Sequence, residues 1–175
     1  KATSAEEISL VSNTTEGIAI VANGLDWQPG DNVVTVRGEF PSNRMAWEAL
    51  EHQGVSLRAV DLHDNQHPEQ SLINAMDERT RVLTVSAVQW TDGWRLNLGV
   101  LGRACRSAGI LFFVDAIQQL GALRIDVQQA SIDCMAAGSH KWQMAPEGQG
   151  LFYCNAAWRE RLPPPRLGWR ILEDP

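Results

Sequence analysis

Short apolar runs rich in β-branched residues alternate with segments of helical periodicity along the chain. This alternation predicts an α/β fold, with a mainly parallel sheet and helices on both faces in three αβα layers. In such sheets ligands bind beyond the carboxyl ends of the strands, so the residues that follow each strand are the first candidates for function. The predicted strands are Ile8–Val11, Asn32–Arg37, Val55–Val60, Arg81–Val88, Ile110–Val114, Cys134–Ala137 and Gly150–Cys154. The predicted helices are Glu16–Asn23 (the start of a helix), Asn43–Gln53, Pro68–Met76 and Leu96–Ala108.

Charge and cysteine content narrow the classes of partner. The formal net charge is -6 and no basic run is present, which argues against a nucleic-acid partner or an anionic membrane surface. No stretch reaches membrane-spanning length, and the N-terminus lacks the profile of a signal peptide. Cys105, Cys134 and Cys154 have apolar neighbours and no C-x-x-C spacing, a pattern typical of reduced core thiols. We therefore expect a soluble, cytoplasmic protein without a membrane partner.

Asp115 follows a predicted strand directly. The four apolar residues Leu111–Val114 precede it, so we expect its carboxylate to emerge at the carboxyl end of a buried strand. On its own, such an aspartate is more often a helix N-cap or a turn residue. A chemical role for Asp115 therefore depends on what else lies at the same edge of the sheet.

Lys141 follows the next predicted strand. A lone lysine is ordinarily a solvated surface charge. Here apolar residues lie on both sides of the lysine, and Gly138-Ser139 before it allow backbone amides to approach a ligand. A partly desolvated lysine amine can act as a nucleophile that forms a Schiff base. The adjacent His140 is equally compatible with a structural histidine.

The segment Asn13–Gly17 joins the first predicted strand to a helix. Hydroxyls and free amides at a helix N-terminus suit a phosphate group, although capping by Thr14 or Thr15 explains the same residues. Neither G-x-G-x-x-G nor G-x-x-x-x-G-K-[ST] is present, which argues against a dinucleotide or a P-loop nucleotide. Phe40 follows the second predicted strand, where it could pack in the core or lie flat against a planar ring.

These segments have a joint chemical logic. A pyridine cofactor with a phosphate arm needs an anion-binding helix start, an amine for its aldehyde and a carboxylate at its ring nitrogen. The pattern Asp115-x-x-Gln118 followed by Ser139-His140-Lys141 resembles the class V aminotransferase family of fold-type I pyridoxal-phosphate enzymes. That group includes cysteine desulfurases, selenocysteine lyases, isopenicillin N epimerase-like proteins and kynureninase. The similarity runs in order from Asn13–Gly17 to Pro146–Tyr153.

The resemblance implies pyridoxal 5'-phosphate as the cofactor and a role for each residue near its ring. Lys141 would form the Schiff base and then move the α-proton of an amino-acid substrate as acid and base. Asp115 would pair with the ring nitrogen, Gln118 would bond to the ring hydroxyl, and Phe40 would stack on the ring. The reaction would be that of an aminotransferase, an epimerase or a lyase.

The resemblance also implies how the phosphate and the subunits are held. Thr14 and Thr15, with neighbouring backbone amides, would bind the phosphate, helped by His140 and Ser139. Active sites of the family are usually completed across a homodimer, so a homodimer is expected.

Three departures from the desulfurase pattern bear on the reaction. Desulfurases have a histidine at the position of Phe40, and phenylalanine can stack but cannot carry a proton. Trp90 stands in Ser86–Trp90 where desulfurases have an asparagine that helps to fix the substrate. Both changes favour the epimerase-like and aminotransferase-like branch, with cysteine desulfurase or selenocysteine lyase as the alternative. Gly138-Ser139 reverses the Ser-Gly order that is common in desulfurases, which weakens the predicted phosphate contact of Ser139.

Family members are longer than this chain. We expect residues 1–162 to form part of the cofactor-binding large domain, and residues 163–175, which begin with Pro163-Pro164-Pro165, to lead towards a C-terminal small domain that is absent. The substrate-carboxylate arginine and the mobile cysteine of desulfurases would belong to the absent portion. Two alternatives of another class are therefore kept: a catalytically inactive cofactor-binding domain, and an unrelated α/β binding domain.

Overall fold

The computed structural model describes residues 1–63 and 67–164. Within that part, the strands form a single sheet and the helices lie on its faces. The strands are β1 (Ile8–Val11), β2 (Asn32–Val36), β3 (Ser56–Val60), β4 (Thr80–Ser86), β5 (Leu111–Asp115), β6 (Cys134–Gly138) and β7 (Gly150–Cys154). The α-helices are α1 (Thr14–Gly24), α2 (Pro41–Glu48), α3 (Pro68–Asn74), α4 (Leu98–Ala108) and α5 (Ala156–Arg159).

The strand order across the sheet is β1-β7-β6-β5-β4-β2-β3. Strands β2 to β6 pair in parallel, whereas β7 is antiparallel to both of its neighbours, β1 and β6. The prediction of a mainly parallel sheet is confirmed. Because parallel strands end at the same edge, the turns after β2, β4, β5 and β6 converge there.

Alternate residues of each strand enter opposite layers of the core. On one face, Val34, Leu83 and Phe112 pack with residues of α3 and α4. On the other face, Val33 and Phe113 pack with residues of α1 and α2. The central strands are buried on both faces, which explains why their sequences are continuous apolar runs rather than alternating patterns.

Two predicted boundaries differ from the structure for local reasons. The helix predicted over Asn43–Gln53 begins earlier, because Pro41 is preset for the first helical turn, and it tightens into a 3-10 turn over Ala49–Gln53. The strand predicted to run to Val88 ends at Ser86, since Val88 makes only an isolated bridge to Arg95 as the chain turns.

The connector predicted over residues 163–175 lies outside the described residues from 165 onward. All three cysteines, Cys105, Cys134 and Cys154, are buried with free thiols, as expected of core residues. None of the helices described here has the length and apolar character needed to cross a membrane.

Candidate functional site

Asp115 is the last residue of β5 and is only 2% exposed. The Ile117 N–H donates to its Oδ1 at 3.0 Å, and no described residue donates to Oδ2. Burial raises the pKa of Asp115 from 3.8 to about 7; the Ile117 N–H opposes the rise, the Glu39 charge adds to it, and the Lys141 charge opposes it. A buried carboxylate with an unused oxygen is suited to a cationic hydrogen-bond donor.

Lys141 lies in the turn after β6 and is partly buried. Its Nζ lies 5.8 Å from the centroid of the Phe40 ring, a cation–π distance. Because its charge also acts on Asp115, the amine lies at the same edge of the sheet as that carboxylate. The structure therefore brings together three predicted site residues: Asp115 at the end of β5, Phe40 after β2 and Lys141 after β6.

Phe40 and Trp90 form an aromatic wall beside the lysine amine. Their rings pack edge to face with centroids 5.6 Å apart. The indole Nε1 of Trp90 donates to the Gly38 carbonyl at 3.0 Å, which ties the wall to the turn after β2. Phe40 is 39% exposed and Trp90 is 48% exposed, so both rings also face the open side of the site.

The start of α1 packs against the end of β6. The Gly138 N–H donates to Thr14 Oγ1 at 2.8 Å, although the two residues are distant in sequence. A methyl group placed on Gly138 would lie 3.1 Å from His140 Cε1 and 3.3 Å from that hydroxyl, so the three residues are neighbours. Gly17 allows this approach, because a Cβ there would lie only 2.5 Å from Ala136 Cβ.

Two helix starts lie side by side at this edge. The Thr15 hydroxyl donates to Ser42 Oγ at 2.9 Å, and Ser42 lies in the first turn of α2. Asn13 caps α1 by accepting from the Glu16 N–H. The amides of Thr14 and Thr15, in the first turn, have no partner within the helix and are available to an anion. Sequence reasoning missed Ser42, since nothing local marks it apart from an ordinary helix start.

Gln118 and Ser139 both contact the turn that carries Lys141. Gln118 Oε1 accepts from the indole Nε1 of Trp142 at 3.1 Å, which leaves the amide nitrogen of Gln118 as a donor. Ser139 is buried, and its hydroxyl lies 3.4 Å from Gln143 Oε1 within the same turn. Ser139 Oγ therefore has a partner inside its own loop, in keeping with the reversed Gly138-Ser139 order.

Glu39 is a second buried carboxylate that sequence reasoning gave no role. It is 3% exposed and lies between the end of β2 and the start of α2. Ser86 at the end of β4 donates to it from both its N–H and its hydroxyl, each at 2.6 Å. The signal available in the sequence was a charged residue shortly after a strand and next to Phe40, but only the packed structure shows that it is buried.

The assembled site combines an amine, a buried carboxylate, an aromatic face and helix starts at one edge of the sheet. A ligand with an anionic arm and a planar cationic ring would find a complementary group for each part.

The sequence matches the Aminotransferase class-V family model over residues 1–175. It is 35% identical to a probable cysteine desulfurase of Methanothermobacter thermautotrophicus over 172 residues, which cover 98% of this chain and 43% of that protein. The cysteine desulfurase CsdA of Escherichia coli is similar in structure, with a TM-score of 0.89 and 26% identity, over 95% of this chain and 43% of that one.

A second similar structure is that of the cystine C–S lyase C-DES with glycine covalently linked to its pyridoxal-phosphate cofactor. The TM-score is 0.86 at 27% identity, over 94% of this chain and 45% of C-DES. The chain thus spans less than half the length of each of these proteins.

Proposed function

Because the chain belongs to the class V aminotransferase family, we propose that it forms the pyridoxal-phosphate-binding part of an enzyme that acts on an amino acid. The observation that carries the proposal is the meeting of Lys141 with Asp115 and Phe40 at one edge of the sheet. These residues lie at or beyond the ends of three different strands, and a surface lysine has no need of such neighbours.

The residues present fit this cofactor. Asp115 has an unused Oδ2, and burial disfavours its charge, so a ring nitrogen that carries a proton would satisfy both conditions. The open start of α1 suits the phosphate, and the exposed face of Phe40 suits the ring. No buried cation among the described residues already neutralises Asp115.

When bound, pyridoxal phosphate supplies an aldehyde for a lysine amine and a ring that accepts electrons from a substrate carbanion. Lys141 Nζ would hold the cofactor and, once released, would move a proton at the α-carbon of the substrate. Asp115 would keep the ring nitrogen protonated. Gln118 would donate to the ring hydroxyl from its amide nitrogen, since its oxygen already accepts from Trp142.

Thr14, Thr15 and the first amides of α1 would hold the phosphate. His140 is exposed beside Thr14 and Gly138, so its ring could reach the same anion. Ser139 would contribute less than the threonines, because its hydroxyl already lies near Gln143. We propose these roles from the positions of the residues and from the resemblance to the family.

Cysteine desulfurase is the second candidate function, favoured by the names of the similar proteins. Against it, Phe40 and Trp90 form a wall that has no acid–base group, whereas desulfurases have a histidine and an asparagine at these positions. Release of sulfide and alanine from cysteine by the full-length protein would favour the desulfurase. Racemisation or transamination of an amino acid without sulfide would favour the aminotransferase or epimerase type.

The extent of the domain is also a proposal. Residues 1–162 would form the cofactor-binding domain, and residues 163–175 would lead out of it. A catalytically inactive binding domain remains the alternative of another class. Measured turnover by this chain alone would exclude that alternative, and cofactor attachment without turnover would support it.

We further propose a homodimer in the cytoplasm. Buried free thiols at Cys105, Cys134 and Cys154 are typical of a reducing compartment. Trp90, Trp142 and the Phe40 ring expose apolar area around the site, which is typical of a surface that another chain covers. Light scattering of the purified protein should give twice the mass of the polypeptide, and a single mass would exclude the dimer.

The proposed attachment can be tested sharply, because Lys1 and Lys141 are the only lysines in the sequence. Incubation with pyridoxal phosphate should give a visible absorbance band, and borohydride reduction should fix a single cofactor adduct on the peptide that contains Lys141. Lys141→Ala should lose both signals, whereas Lys1→Ala is the matched control and should keep them. An adduct only at Lys1 or at the N-terminal amine would refute the assignment.

A further inference from the structure

We propose that Glu39 is a positioning residue, whose buried carboxylate holds the Phe40 ring and the strand pair that carries Asp115 in a fixed arrangement. This inference rests on the proposed function and assigns a task to a residue that does not itself reach the cofactor. It is drawn from the hydrogen bonds, the burial and the strand register around Glu39.

Both oxygens of Glu39 are used. Oε1 accepts from the Ser86 N–H at 2.6 Å and from Gln89 Nε2 at 3.0 Å. Oε2 accepts from the Ser86 hydroxyl at 2.6 Å and from the Phe40 N–H at 3.3 Å. Every neighbour is a donor, so the pocket is built for a group that only accepts, as an ionised carboxylate does.

These partners connect Glu39 to both sides of the proposed site. Phe40 follows Glu39 in the chain and begins the aromatic wall beside the lysine amine. Ser86 is paired with Asp115 in the register of β4 and β5, and the Ala87 N–H donates to the Asp115 carbonyl at 2.9 Å. One carboxylate therefore fixes the ring-facing turn after β2 against the strand pair that ends in Asp115.

An amide can replace this carboxylate only in part. In Glu39→Gln an NH₂ group at the Oε2 position can donate to a turned Ser86 hydroxyl, but it faces the Phe40 N–H, which loses its acceptor. An NH₂ group at the Oε1 position would face the donors of Ser86 N–H and Gln89. The turn after β2 would then shift relative to β4, and the Phe40 ring would move with it. Glu39→Asp keeps the charge but is one methylene shorter, so it can keep part of the hydrogen bonding.

Asp31 provides a matched control at the opposite end of β2. It is also 3% exposed, and it pairs with Arg79 at 3.3 Å and with Arg81 at 3.1 Å. Asp31→Asn therefore removes a buried carboxylate just before the same strand without touching the proposed site. A loss of general stability would appear in both variants, whereas a loss of positioning would appear only at Glu39.

The test measures three properties of the full-length protein and its variants: the dissociation constant of pyridoxal phosphate, the circular dichroism of the bound cofactor in the visible region, and thermal unfolding. Glu39→Gln should weaken cofactor binding about tenfold, comparable with the loss of hydrogen bonds that support metal ligands. It should also change the visible dichroism, because the Phe40 face moves. Asp31→Asn should lower the unfolding temperature while its cofactor affinity and dichroism match those of the unsubstituted protein.

Affinity within about twofold of the unsubstituted protein in Glu39→Gln, or an equal loss in Asp31→Asn, would overturn the positioning role. If Glu39→Gln is too unstable to purify, Glu39→Asp takes its place under the same comparison with Asp31→Asn. Absence of cofactor binding in the unsubstituted protein would overturn the proposed function as well, so the two failures are distinguishable.

Discussion

Replacing Asp115 by asparagine should stabilise the cofactor-free protein at neutral pH, even though it removes a group of the proposed site. In the folded protein the carboxylate is buried, and burial disfavours its charge. Asparagine has nearly the same shape, carries no charge, and can still accept the hydrogen bond from the Ile117 N–H through its side-chain oxygen. The substitution therefore removes the free-energy cost of burying a charge and still gives the Ile117 N–H an acceptor.

The size of the effect follows from the raised pKa of Asp115. A rise from 3.8 to about 7 corresponds to about 4 kcal/mol, at about 1.4 kcal/mol per pH unit. Below pH 3.8 both the folded and the unfolded chain carry the proton, and the penalty is absent. As the pH rises, the unfolded chain ionises first, so the folded state loses relative stability until the pH passes about 7.

Urea unfolding of the cofactor-free protein at two pH values is the assay. The gain in unfolding free energy for Asp115→Asn should be about 2–3 kcal/mol larger near pH 8 than near pH 5, because the buried amide nitrogen of the asparagine costs about the same at both pH values. Asp31→Asn is the control, since it breaks the ion pairs with Arg79 and Arg81 and should destabilise the protein. No gain in Asp115→Asn, or a gain that does not change with pH, would refute the reasoning about the buried charge.

Two further predictions concern packing and the thiols. Gly17→Ala should lower the unfolding free energy by about 1–3 kcal/mol, because its Cβ would lie 2.5 Å from Ala136 Cβ. In the control Gly99→Ala the new Cβ would lie 3.4 Å from Arg103 Nη1 and 3.5 Å from Asn97 Oδ1, which are ordinary contacts, so a similar loss there would contradict the steric explanation. Burial raises the pKa of Cys105 to about 12, so a thiol reagent should react slowly with the folded protein and find all 3 cysteines after denaturation. Rapid native labelling of Cys105 would show that this part of the core is open.

Much of the fold could be predicted because each strand is a short apolar run with a clear end. Asp115 is predictable because a polar residue directly after a buried run emerges at the carboxyl edge of the sheet, and Lys141 because it lies in the loop after the next strand with apolar residues on both sides. The family resemblance, now confirmed over the whole chain, rests on the same residues. The sequence therefore predicts which side chains lie after the strands, at the carboxyl edge of the sheet.

The rest depends on contacts between segments that no local pattern reveals. Glu39 reads as a surface charge in the sequence, and only its hydrogen bonds to Ser86 and Gln89 across neighbouring elements show that it is buried and used. Likewise, the bond from Trp142 to Gln118 decides which end of that amide is left free. Such pairings depend on side-chain packing, which periodicity and turn chemistry do not encode.

The hydrogen bond from Gly138 to Thr14 has a consequence for when the start of α1 can fold during synthesis. Thr14 emerges from the ribosome well before the residue that fixes its hydroxyl, because that partner lies 124 residues further along the chain. Strand β1 also depends on a late segment, because among the described strands its one partner is β7, and contacts of such long range form late and slowly. The start of α1, the proposed phosphate site, is thus completed only once nearly all the described chain has been synthesised. Binding of a phosphate-bearing cofactor by a nascent chain would therefore indicate that β6 and β7 have already joined the sheet.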